Sequence, residues 1–215
     1  AEPLFRSIVF QNGLGNEDRL AAGLRCPVVA GTTTHGAMLS EPGVVAWTGR
    51  GTVTVGNWRV DGGDAATDPA GDDPAAQIAA AFRAASVDVA VDPDIRRRLW
   101  LKLAVNAAIN PTTALARVRN GAVCSEPIVP YAERAAREAA AVARAEGVDV
   151  DGDAAVNRAL AVADRTADNR SSMFQDVAAG HRTEIDAVSG AVANRAAEHG
   201  VDAPVNGLLA ALLRG

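Results

Sequence analysis

Lysine is nearly absent from this sequence. Of 21 basic residues, Lys102 is the one that is not arginine. Positive charge is also short overall: the net charge is −5 and the pI about 5.2, which argues against a nucleic-acid-binding surface. No apolar run reaches the roughly 18 residues that a membrane span needs, and no secretory signal pattern is read, so neither a membrane nor export is expected. The two cysteines, Cys26 and Cys124, form no disulfide framework and no metal spacing, which places the protein in a reducing, cytoplasmic setting. His35, His181 and His199 share no ligand spacing, so no metal site is expected. A dinucleotide or phosphate-loop motif is missing as well. Gly13-Leu14-Gly15 has Asp18 where a third glycine would stand, and Gly49-Arg50-Gly51 lacks the following Gly-Lys-Ser/Thr.

What is present is an ordinary globular composition, 48% hydrophobic and 22% charged, over 215 residues. The first part alternates strand and helix signals. Residues 7–10 read as a strand, "QNGLGN" as a turn, 16–23 as a short helix and "CPVVAGTTTHG" as a strand opening into a threonine-rich stretch. "GVVAWTGRGTVTVG" reads as a β-hairpin turning at Thr-Gly-Arg-Gly. Residues 57–74 read as a Gly/Asp/Pro loop, "AAQIAAAFRAA" as a helix and "VDVAV" as a last strand. After Pro93 the pattern is helical throughout. It comprises a long apolar helix over 95–117 interrupted at Pro111, a second ending at Gly147, a third over 153–168, one or two within 170–200, and a last over 204–213. The expected organisation is an α/β part, 1–92, followed by an all-α part, 93–215.

The long helix poses the chemical question. Within "LWLKLAVNAAINPTTAL" the polar groups Lys102, Asn106 and Asn110 recur at a spacing of four. At about 3.6 residues per turn they share one stripe of an otherwise apolar helix. A buried amide without a partner costs about 1–3 kcal/mol, and an unpaired charge more. The stripe therefore needs either an internal polar network or a small polar ligand, and spacing alone leaves both open. An amine, unlike a guanidinium, can have its pKa lowered into a useful range by burial, which gives a reason for a lysine where every other cation is arginine; the alternative is a remnant whose stem covers apolar surface. A second polar cluster lies in "DNRSSMFQDVAAGHRTEID". Ser171-Ser172 before an apolar residue also fits a helix cap, and Glu184 a helix-dipole partner. Arg96-Arg97-Arg98 could hold a phosphate or form a solvated face.

Four stretches together, "QNGLGNED", "GTTTHGA…GVVAWTGRGTVTVG", "LWLKLAVNAAINPTTAL…NG" and "NRSSMFQDVAAGHRTEID", resemble the ketopantoate reductase (2-dehydropantoate 2-reductase) family from residue 7 to about 206. The resemblance implies a Rossmann-type domain for NADPH, an all-helical substrate domain, and a cleft active site. It implies NADPH-dependent reduction of 2-dehydropantoate to pantoate on the route to pantothenate and coenzyme A. Lys102 would then give a hydrogen bond and a proton to the ketone oxygen, and Glu184 would be a cleft glutamate that positions the substrate or the nicotinamide end. Asn106 and Asn110 would hold substrate hydroxyls, Ser172 the carboxylate, and Asn12 would lie near the nicotinamide. The family's opening strand, Gly-x-Gly-x-x-Gly and helix have no counterpart in this sequence, so 1–92 is expected to be a remnant of the Rossmann-type domain and the chain a truncated one. Alternatives are a reductase of another 2-keto acid and a non-catalytic helical dimerisation module. The partner implied is a small 2-keto acid, with a homodimer as one possible assembly.

Overall fold

A computed structural model describes residues 7–24, 26–58 and 73–214. The described residues form two compact units, one containing the chain through Gln11 and from Gly15 to Ile95, the other Asn12–Leu14 and the chain from Arg96 onward.

The first unit is α/β. Strands β1 (Ser7–Val9) and β2 (Val28–Thr33) flank helix α1 (Asn16–Gly23) in sequence; β3 (Gly36–Glu41), β4 (Val44–Gly49), β5 (Val53–Asn57), α2 (Pro74–Ala84) and β6 (Val89–Val91) follow. A four-stranded mixed sheet has the order β1-β2-β5-β6, with β1 parallel to β2, β5 antiparallel to β2 and β6 parallel to β5. Val29, Val53, Val55 and Val89 of the sheet pack on Ala75 and Ala79 of α2. Asp73 caps α2 by accepting from the Ala75 and Ala76 amides. A hydrogen bond from Asn57 (2.7 Å), followed by these amides, holds the Asp73 carboxyl below the usual carboxylate range against the opposing effect of burial.

The hairpin expected over 43–56 is not formed. β4 pairs instead with β3, through a turn at Glu41-Pro42-Gly43 in which Gly43 takes φ +83°, and β5 lies between β2 and β6. The two β-branched runs have opposite fates: Val53–Gly56 are buried, whereas β4 is almost wholly exposed. A strand paired on both sides and covered by a helix suits a continuous apolar run, and Pro-Gly is the stronger turn signal. Most of the 57–74 loop, residues 59–72, lies outside the described residues; Asn57 belongs to β5 and Pro74 to α2.

The second unit is all-α: α3 (Ile95–Ala116), a short 3-10 turn (Asn120–Cys124), α4 (Val129–Ala145), α5 (Gly152–Arg165), α6 (Ser172–Ala179), α7 (Ser189–His199) and α8 (Pro204–Arg214). Val105, Ala108 and Ile109 of α3 meet Ala132 and Ala136 of α4 and Val156, Ala159 and Ala163 of α5. The alanine surfaces let these helices approach closely. The interruption expected at Pro111 does not occur. α3 runs through it, and the next two residues return hydroxyl hydrogen bonds to the helix, Thr112 to the Ala108 carbonyl (2.6 Å) and Thr113 to the Ile109 carbonyl (2.8 Å). The solvated-face reading of the arginine triplet fits Arg97 and Arg98, which are exposed, and not Arg96, which is half-buried. Arg96 pairs with Glu146, which is also held by Arg195 (2.6 Å), and Arg97 donates to the Asp149 carbonyl (2.8 Å). Among the described residues no helix is long and apolar enough to cross a membrane.

One buried carboxylate organises the end of this unit. Glu138, 2% exposed, accepts from the backbone amides of Val205 and Asn206 and from the Asn206 side chain (3.1, 3.0 and 2.9 Å), so α4 supplies the anion at the start of α8. Glu138→Ala would strand these donors in the interior. It should lower the unfolding free energy by about 2–3 kcal/mol in urea titrations, with Glu138→Gln less severe because its amide oxygen still accepts.

Candidate active site

Lys102, Asn106 and Asn110 are half-buried, while Leu103, Ala104, Val105, Ala107, Ala108 and Ile109 between them are buried. The stripe is thus the accessible edge of a helix whose remaining circumference is core. Among the described residues neither the Asn106 nor the Asn110 side chain, nor the Lys102 amine, has a hydrogen-bond partner. An internal polar network, the first way to satisfy three such groups, is not what surrounds them. At half burial, solvent or a ligand can reach them.

Burial lowers the Lys102 pKa, because the charged ammonium loses hydration; the Glu184 carboxylate pulls in the opposite direction without cancelling the effect. Glu184 is exposed and lies in the turns between α6 and α7, with its backbone carbonyl accepting from Ala187 and Val188. It is not at a helix start, since α7 opens at Ser189.

The Glu184 carboxylate is fixed by a residue 172 positions away: Asn12 Nδ2 donates to Oε2 at 3.0 Å. The reason is local. The Leu14 amide donates to the Ala187 carbonyl (3.2 Å), and a Cβ at Gly13 would stand 2.3 Å from that same carbonyl oxygen. Gly13 also has φ +88°. Glycine alone allows the 12–14 segment to lie against residues 184–187 and so to deliver Asn12.

The serine pair divides into two roles. Ser171 is the N-cap of α6, accepting from the Phe174 amide (3.1 Å), as the cap reading required. Ser172 is the first residue of the helix and is exposed. Sequence reasoning gave Thr113 no part, yet its hydroxyl lies 2.7 Å from that of Ser171. The available signal was a pair of β-branched alcohols directly after a proline within an apolar helix. Among the described residues no group of three His, Cys, Asp or Glu side chains is placed to hold a metal ion.

Residues 94–215 match the model for the C-terminal part of ketopantoate reductase, and residues 6–60 match the model for ketopantoate reductase itself. The chain belongs to the ketopantoate reductase family. It is 44% identical to the 2-dehydropantoate 2-reductase of Halobacterium salinarum over 96% of this chain and 66% of that protein. Its structure resembles the ketopantoate reductase of Ralstonia eutropha JMP134, with a TM-score of 0.82, 31% identity and coverage of 97% of this chain and 65% of that one. It also resembles D-mandelate dehydrogenase in its ternary structure with NADH and anilino(oxo)acetate, with a TM-score of 0.85, 25% identity and coverage of 96% and 65%. The chain therefore spans about two thirds of the length of the relatives it matches.

Because Lys102 is the only lysine, protein labelled at lysine gives a single side-chain signal to titrate. Its midpoint should lie below that of an ordinary lysine. Glu184→Gln removes the charge that opposes burial and should move it lower still. A midpoint unchanged by Glu184→Gln would show that the carboxylate does not act on the amine.

Proposed function

We propose that this chain carries the substrate side of an NADPH-dependent 2-dehydropantoate 2-reductase, a cytoplasmic enzyme forming pantoate for pantothenate and coenzyme A synthesis. The observation that carries this reading is the stripe itself. A lysine with lowered pKa, under the charge of Glu184, shares a helix face with two amides that have no partner within the described protein.

The reaction asks three things of these residues. Reduction of a ketone builds negative charge on its oxygen, and the Lys102 ammonium stabilises that charge as it forms. Lys102 then gives its proton to the alkoxide; burial favours this transfer because it disfavours the charged amine. Glu184, held by Asn12, keeps the amine protonated before the reaction. Asn106 and Asn110 face the hydroxyl end of the substrate, and Ser172 binds its carboxylate.

A reduced nicotinamide, when bound, supplies the hydride. Among the described residues, Asn12 suits one end of such a cofactor. Gly13 is filled by the approach to Ala187. A Cβ at Gly51 would meet Thr34 backbone atoms at 2.2 and 2.4 Å, so this glycine serves packing and not a phosphate. Asn12 is accordingly assigned to the nicotinamide end, and no pyrophosphate contact is assigned here.

A second reading, reduction of an aryl 2-keto acid, draws on the likeness to D-mandelate dehydrogenase. The two amides favour a hydroxylated substrate, because an aryl group would leave both unpaired. NADPH consumption with 2-dehydropantoate and with phenylglyoxylate decides between them: the first is expected to be preferred, and Lys102→Ala should lower kcat by about 10²-fold or more. Asn106→Ala and Asn110→Ala should each reduce kcat/KM by an amount equivalent to about 1–3 kcal/mol with little change in melting temperature. A large fall in melting temperature with unchanged kinetics would return the amides to a structural role.

A further inference from the structure

We propose that Thr113 is a positioning residue that, through Ser171, fixes the start of α6 and hence Ser172 relative to the Asn106–Asn110 stripe of α3. The proposal rests on the reading of these residues as substrate contacts.

A buried chain of hydrogen-bonding groups joins α6 to α3. The Phe174 amide donates to Ser171 Oγ (3.1 Å), and Ser171 Oγ lies 2.7 Å from Thr113 Oγ1. Thr113 Oγ1 is within reach of the Ile109 and Asn110 carbonyls, at 2.8 and 3.1 Å. Each hydroxyl has one proton to give. If Thr113 spends its proton on the carbonyls, the Ser171 proton goes to Thr113, and every group has a partner. The direction is then uniform: amide of α6, Ser171, Thr113, carbonyls of α3. Thr113 is wholly buried and Ser171 is 5% exposed, so no solvent can substitute for a lost link.

The placement of this chain gives it a consequence for the site. Thr113 lies three residues after Asn110 and bonds the Asn110 carbonyl, while Ser171 directly precedes Ser172. One end thus grips the amide stripe and the other sets where the carboxylate-binding serine starts its helix. Pro111 lies between Asn110 and the threonines, and the hydroxyl bonds tie the helix on its far side back to the carbonyls before it. A substrate gripped at its hydroxyl by α3 and at its carboxylate by α6 needs that separation held, since small misplacement of a contact is expensive in binding and rate.

The test uses Thr113→Val, Thr113→Ser, Ser172→Ala and the Thr113→Val/Ser172→Ala double variant of the full chain. Two quantities are read: pantoate affinity by calorimetry, and amide exchange resolved along α6. Thr113→Val keeps the shape and removes the bridge. It should weaken pantoate binding about five- to tenfold, the size expected for one misplaced hydrogen bond, and speed exchange at Phe174 and Gln175 while α4 and α5 are unchanged. Thr113→Ser should restore both. The double variant should bind no worse than Ser172→Ala, because both changes act through one contact. Should Thr113→Val not fold, Ser171→Ala breaks the bridge from the other side and should weaken pantoate equally. Unchanged affinity, or unchanged exchange in α6, in variants lacking the bridge overturns the proposal; if Ser172→Ala still weakens pantoate, the substrate reading survives. If Ser172→Ala leaves pantoate binding unaltered, the substrate reading of Ser172 fails and the proposal falls with it.

Discussion

The half-burial of one ammonium is the constraint around which the helical unit makes sense. Removing Lys102 from water disfavours its charged form, and nothing in α3 itself compensates. The compensation comes from Glu184, more than 80 residues on in sequence, and Glu184 in turn is held by Asn12, near the start of the chain. The glycine at position 13 is part of the same arrangement, since without it the backbone could not lie against Ala187 and the amide could not reach the carboxylate. Four features that look unrelated in sequence thus serve a single electrostatic requirement.

The same logic separates the two kinds of polar burial in this unit. Glu138 and Glu146 are carboxylates in the interior that are saturated with donors: backbone amides at α8 and a neighbouring arginine for one, two arginines for the other. They hold helices together and have little capacity left for a ligand. Asn106 and Asn110 are the reverse. They are less buried, and they have no partner among the described residues. A helical unit that supplies Glu138 and Glu146 with so many donors, yet leaves an aligned pair of amides open beside a perturbed lysine, has reserved that edge for something other than its own fold.

The stripe was readable because helical periodicity is local. A spacing of four along an apolar segment fixes which residues share a face, whatever packs around it. The two-part order, α/β then all-α, was readable for the same reason. Pairing between strands was not. The run 44–49 and the run 53–57 have similar β-branched content, and only the competition of β2, β3 and β6 for partners decides that one is an exposed ribbon and the other a central strand. The continuity of α3 through Pro111 was not readable, because the helix on which one donor is missing is held by core packing of Val105, Ala108 and Ile109. Thr112 and Thr113, directly after the proline, add hydroxyl hydrogen bonds to the Ala108 and Ile109 carbonyls. Asn12 with Glu184, and Thr113 with Ser171, are contacts across 172 and 58 positions. No pattern within either segment announces its partner.

The near-absence of lysine sharpens the chemical argument. Twenty arginines show that the sequence tolerates guanidinium wherever a positive charge suffices, as at Arg96 and Arg195 around Glu146. A guanidinium at position 102 would satisfy Glu184 equally well as a charge. It would not release a proton at workable pH, and its planar fork would need donors' partners that the stripe does not offer. The amine is the one cation for which burial and a nearby carboxylate act as opposing adjustments of a proton affinity, burial making the proton easier to give and Glu184 ensuring that it is there to be given. A residue whose only advantage over its competitors is a movable proton belongs where the proposed reaction requires one, at the oxygen of a ketone being reduced.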